Sequence, residues 1–142
     1  MAKQKRLLSD SLVQRNAEEQ ILALLNLKLS LSLKAQRLNL DNCSFEPDGF
    51  SDNPPTICEI SAHIGKLKPA QVSKIGKDIL KMLLIEKMYD RPFKKIVVFA
   101  DEEASRSYKS TKSWYAQLQH YFNISIETFS ISPELKQLLL MT

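Results

Sequence analysis

Apolar residues recur along the chain with two different periods, and the switches between them mark out the elements. Val13, Ala17, Ile21, Leu24 and Leu25 lie on one stripe at helical spacing, which predicts a helix over 11–26 with Asp10 or Ser11 as its cap. From Leu27 the leucines alternate at 27, 29, 31 and 33 and again at 38 and 40. That two-residue period predicts a strand, although leucine favours strands less than valine or isoleucine does. Residues 42–45 read as a short second strand ended by Pro47-Asp48-Gly49, a turn in which proline fixes φ and glycine permits a positive φ. After Asp52-Asn53-Pro54-Pro55 comes a third strand over 56–64, and the three would form a meander.

Pro69 then stands at a first helical position, and Val72, Ile75, Ile79, Met82 and Leu83 trace an apolar face to about residue 87. KIVVFA at 95–100 is a continuous apolar run, the mark of a central parallel strand buried on both sides. Asp101-Glu102-Glu103 suits a helix start, where acidic side chains complement the helix dipole. The helix runs through Ala104, Tyr108, Trp114, Leu118 and Phe122 with a break expected at Ser110-Thr111. A last strand over 124–131 and a short helix capped by Ser132-Pro133-Glu134 complete an α/β sandwich.

Composition narrows the class. At 142 residues and 44% hydrophobic the chain fits one domain, residues 1–142, with a flexible basic tail at 1–9. Its 20 Lys+Arg against 16 Asp+Glu give +4, compatible with nucleic acid without demanding it. Cys43 and Cys58 have no metal-ligand spacing and suggest neither zinc nor a disulfide framework. The three glycines form no phosphate-binding loop, which argues against a dinucleotide or NTP site. No secretory leader follows the basic start, and no apolar run nears the roughly 20 residues of a spanning helix. A cytoplasmic protein without membrane contact is expected.

Strand alternation puts Glu59, Ser61 and His63 on one face and Cys58, Ile60, Ala62 and Ile64 on the other. If the second and third strands pair, Asp48 lies beside Glu59, and two adjacent carboxylates call for a cation. Mg²⁺, or Mn²⁺, fits, because magnesium takes oxygen ligands and usually only one or two protein carboxylates. Asp48, Glu59 and the Ile60 carbonyl would hold it, and a nearby lysine would position an attacking water for phosphodiester hydrolysis. Asp48 taken alone reads as a turn residue, whereas a glutamate inside ICEI is harder to explain by solvation. Glu18 lies about 80° from the centre of the first helix's apolar stripe, able to turn inward or to pair with Arg15 on the surface. Lys74, Lys77 and Lys81 form either a solvated helix side or a contact surface for a nucleic-acid backbone. His63 and His120 read as ordinary strand and helix residues, and Trp114 and Tyr115 as core or dimer contacts.

The element order, with Pro47-Asp48 followed by Glu59 in the next strand, resembles the PD-(D/E)XK nuclease superfamily, the restriction-endonuclease-like fold. RNAEEQ, EPDG, CEISAHIGKLKPAQ and VVFADEE resemble a small bacterial branch of it. The resemblance spans most of the chain and implies a three-layer αβββαβ core with a mixed central sheet. It implies further that Asp48 and Glu59 are the metal-binding acids, that Glu18 is the first-helix acid and that Gln71 sits beside the site. The superfamily's lysine would fall at Ser61. Either a lysine has migrated, Lys68 first and Lys66 second, or His63 substitutes, or catalysis is lost and the domain binds nucleic acid or protein. The implied partners are nucleic acid, DNA ahead of RNA, and a second copy in a homodimer.

Overall fold

The computed structural model describes residues 2–141, with side chains from residue 11 onward. The chain is a mixed α/β protein with five helices, a four-stranded mixed sheet and a separate two-stranded sheet among these residues. Helix α1 (Ala2–Leu29) is followed by strands β1 (Leu38–Leu40), β2 (Cys43–Phe45), β3 (Gly49–Asp52) and β4 (Pro55–Ser61). Then come α2 (Pro69–Tyr89), β5 (Lys94–Phe99), α3 (Glu102–Ser110), α4 (Trp114–Tyr121), β6 (Ser125–Thr128) and α5 (Pro133–Leu140).

The main sheet has the order β3-β4-β5-β6. β3 runs antiparallel to β4, and β4, β5 and β6 are mutually parallel. Side chains alternate between two cores. Ile57, Val97 and Phe99 pack with Val72, Ile75, Ile79 and Met82 of α2 and with Tyr108 and Ala116 of α3 and α4. Cys58, Ile60, Ile96 and Val98 pack on the opposite face with Ala17, Ile21 and Leu25 of α1 and Leu139 of α5. Three layers result, and β5 is buried along its length apart from Lys94. At its start the Lys95 Nζ donates to Glu86 Oε2 at 2.6 Å and to the Phe93 carbonyl, so that a nearly buried ammonium is both paired and hydrogen-bonded.

The second half keeps the expected order, including the break between α3 and α4, but the strand expected over 124–131 is only β6 (Ser125–Thr128), and the strand expected over 56–64 ends at Ser61, which leaves His63 beyond it. The first half differs in three ways. Leu27 and Leu29 belong to α1, which starts at Ala2 and not at a cap near residue 11. Leucine is a strong helix former, and the helical stripe of Ile21 and Leu25 carries on past Asn26. The helix ends where Ser30 takes a left-handed φ of 53°, and the Asn26 side chain both accepts from the Leu33 N–H and donates to its carbonyl. Next, no meander joins the main sheet. β1 and β2 close on each other as an isolated hairpin around Asp41-Asn42, with Asp41 at φ 51°. Third, the strand paired with β4 is β3, in the stretch expected to be turn and linker. Gly49 has no positive φ; it is small because a Cβ there would collide with Cys58 Sγ and Leu22 Cδ1. The basic tail expected over 1–9 falls on Met1 and on residues whose side chains lie outside the described ones. No helix among the described residues is long and apolar enough to cross a membrane.

Candidate functional site

β4 outruns its partner. β3 begins at Gly49, opposite Cys58, so Glu59, Ile60 and Ser61 have no strand beside them on that edge. Asp48, the residue just before β3, fills the gap with its side chain: its Oδ2 accepts the Ile60 N–H at 2.7 Å. The same carboxylate lies within hydrogen-bonding reach of the Glu59 carboxyl. The two acids meet, and pairing through β3 brings them there.

Glu59 is half-buried, and its carboxyl is pushed up to about 9. Burial is the largest cause, followed by the Asp48 and Asp78 charges and the hydrogen bond to Asp48, with Lys74 opposing. Glu18 has turned inward from α1 and is half-buried. Burial and then Asp48 raise its proton affinity, while Lys74 and Arg15 act against them. Asp78 is nearly buried on α2 and is raised by burial, against the Lys74 charge and hydrogen bond. Every acid here whose proton affinity is shifted holds its proton more tightly than in water.

The ammonium of the site is Lys74. Its Nζ donates to Asp78 Oδ2 at 3.1 Å, one helical turn along α2. Burial opposes its charge, but Asp78, Glu59 and Asp48 together raise its proton affinity. Lys68 and Lys66, the lysines expected to have migrated, line neither of the cavities that Glu59 shares with Lys74. Lys68 is the exposed N-cap of α2, and Lys66 borders a separate groove between α2 and α3 with Ser73 and Ser107. A helical side chain leans back toward the helix start, so a lysine inside α2 reaches β4 better than one at its mouth. Lys81 lines the second cavity, whereas Lys77 is exposed and lines neither.

His63 is half-buried, with its proton affinity lowered by burial and then by Lys74 and Lys68. Gln71 fixes its tautomer. The Gln71 Oε1 accepts the Lys68 N–H at 2.9 Å, which leaves its Nε2 to donate to His63 Nδ1 at 3.1 Å. The neutral ring therefore carries its proton on Nε2. Ile60 enters the site through its N–H, while its side chain belongs to the core under α1.

Three cavities open on this group: one of about 260 Å³ is lined by Arg15, Glu18, Asp48 and Ile60, and the other two share Glu59, Lys74 and Asp78 as a common wall. One, about 90 Å³, lies toward α1 and is lined by Gln14, Glu18, Ser61, His63 and Gln71. The other, about 310 Å³, lies toward the hairpin and is lined by Ser44, Phe45, Asp48 and Lys81. Among the described residues no three of His, Cys, Asp and Glu form a metal-binding cluster. What the site offers is a carboxylate pair of hard oxygens whose crowded charge a proton now relieves, a donor set suited to Mg²⁺ or Mn²⁺ completed by water and phosphate. Of the residues singled out in the sequence, the structure brings Asp48, Glu59, Glu18, His63 and Gln71 together, adds Asp78, and moves Lys74 from a backbone-contact role to the wall of the site. The available signal was position: Asp78 sits directly before Ile79, on the border of the α2 apolar stripe, as Glu18 does on α1. Compared with known proteins, the chain matches no family model, no curated protein and no solved structure.

Proposed function

We propose that the chain is a metal-dependent nuclease that hydrolyses phosphodiester bonds, on a restriction-endonuclease-like core formed by α1, the main sheet and α2. The observation that carries this reading is the meeting of Asp48 and Glu59 at the open edge of β4, with Lys74 beside them. Asp48, Glu59 and the Ile60 carbonyl hold the ion. A bound Mg²⁺ or Mn²⁺ would supply charge neutralisation at the phosphate and a more acidic water. The Ile60 N–H fixes the orientation of Asp48, and Lys74 places positive charge where the phosphate oxygens arrive. In the overall reaction a water oxygen bonds to phosphorus and the opposite P–O bond breaks with its electron pair on the leaving oxygen. One proton of the water ends on that oxygen.

The test is cleavage of single-stranded, double-stranded and branched DNA and RNA with Mg²⁺ or Mn²⁺ titrated in. Wild type should cut at least one substrate, and Asp48→Asn and Glu59→Gln should each lower the rate at least ~100-fold. Two observations favour a second reading, an inactive domain that binds nucleic acid: serine stands at 61, and Glu59 holds its proton at neutral pH. Salt-sensitive binding with no turnover at any metal concentration would select it.

A further inference from the structure

Asp78 is an acid of the site that takes no part in holding the proposed ion. It is 8% exposed and stands in the buried face of α2, between Ile75 and Ile79. Burial works against its charge more strongly than Lys74 works for it. The i,i+4 pair adds little to the helix, because an acid four residues before a lysine is the better order and here the lysine comes first. Neither burial nor helix stability explains a carboxyl at this position. The contact with Lys74 does.

Lys95 and Lys74 use their ammonium groups differently. The Lys95 side chain is 9% exposed, and its Nζ donates both to Glu86 and to the Phe93 carbonyl. The Lys74 side chain is 69% exposed, and among the described residues its Nζ makes one hydrogen bond, to Asp78 Oδ2 at 3.1 Å. An ammonium has three N–H donors, so two remain for an incoming group. Left to itself, a lysine in α2 leans toward the helix start. The bond to Asp78 draws it one turn the other way, and both residues line the hairpin-side lobe together with Asp48, Glu59 and Lys81.

We infer that Asp78 is a positioning residue of the proposed reaction: its carboxylate tethers the Lys74 ammonium beside the Asp48–Glu59 pair and leaves two N–H groups for the phosphate oxygens. The inference rests on the nuclease reading. Asp78 acts through Lys74 alone, touching neither the ion nor the substrate.

Steady-state cleavage by wild type, Asp78→Ala, Lys74→Met and the double variant tests the assignment, with Mg²⁺ or Mn²⁺ at saturation on a substrate that wild type cuts. Alanine removes the carboxylate and is a stronger helix former than aspartate, so α2 is kept. Asp78→Ala should lower kcat about tenfold with KM within about twofold of wild type. In the Lys74→Met background the same substitution should change kcat by less than about twofold, since the tether has lost the ammonium it holds. An equal loss in both backgrounds, or an undiminished kcat in Asp78→Ala, overturns the positioning role and leaves the nuclease reading intact. A wild type inert on every substrate overturns the nuclease reading and the catalytic part of the inference with it. Crystal structures of wild type and Asp78→Ala test the tether whatever the activity. Lys74 Nζ is expected on Asp78 in the first and turned toward the helix start in the second; the same Lys74 position in both would overturn the tether.

Discussion

Glu59 concentrates the electrostatic tension of the molecule. Its carboxyl goes from an ordinary value near 4.5 in the unfolded chain to about 9 in the fold. A group raised in this way contributes its full stability below about pH 4.5 and loses it as pH climbs through 9, because the unfolded chain gives up the proton first. Thermal melts should therefore show wild type weakening between pH 6 and 9. Glu59→Gln, which stays neutral, should weaken less and be the more stable protein at pH 9 by about 2 kcal/mol. In the proposed metal-dependent reaction a divalent ion would compete with the same proton. Millimolar Mg²⁺ at pH 8 should raise the wild-type Tm and leave that of Glu59→Gln unchanged. Lys74→Met removes the cation facing the acids and should lower kcat about 100-fold if the ammonium supports the transition state; a rise in KM alone would assign it to binding. Part of this could be read from the sequence, since a glutamate flanked by Ile57, Cys58 and Ile60 already demanded a reason to be inside. Which ammonium answers it could not. Lys66, Lys68 and Lys74 are alike as letters, and only the path of α2 across β4 separates them.

At the scale of elements, what decides the site is the unequal length of β3 and β4. Gly49 sits at the neck where β3 begins, and its lack of a side chain lets β3 approach Cys58 with Asp48 just outside the ladder. Gly49→Ala would place a Cβ 2.5 Å from Cys58 Sγ. Chemical denaturation should show a loss of about 1–3 kcal/mol, as overpacking in a closed core costs, and cleavage should fall with it as Asp48 is displaced. The sequence was legible where one period ruled: α2, β5, the divided α3–α4 pair and α5 are set by sustained apolar spacing and by the caps Asp101, Ser113 and Ser132. It misled between Leu27 and Asp52, where leucine serves either period and where β3, four residues long, contains a glycine and an aspartate. Pairing with β4 overrides weak local preference there, and no local pattern announces it.

For the molecule as a whole, the surplus of +4 is modest, so the placement of charge matters more than its sum. Lys81 borders the hairpin-side lobe and Lys66 the groove beyond α2. If a nucleic-acid strand occupies the hairpin-side cavity, Lys81→Ala should reduce the slope of log K against log salt by about one, the loss of one phosphate contact. Lys66→Ala should leave that slope unchanged. Equal effects from both would mean that the strand takes another route.

The β1–β2 hairpin carries a consequence of its own. It shares no ladder with the main sheet and is anchored by buried Leu38, with Leu40 and Phe45 packed against the α2-side core. Its exposed residues, from Asp41 to Ser44, support neither layer of the sandwich. On the proposed reading Ser44 borders the cavity that takes the substrate, so changes at this tip would alter which substrates are accepted while the anchors and the acids on β4 stay in place.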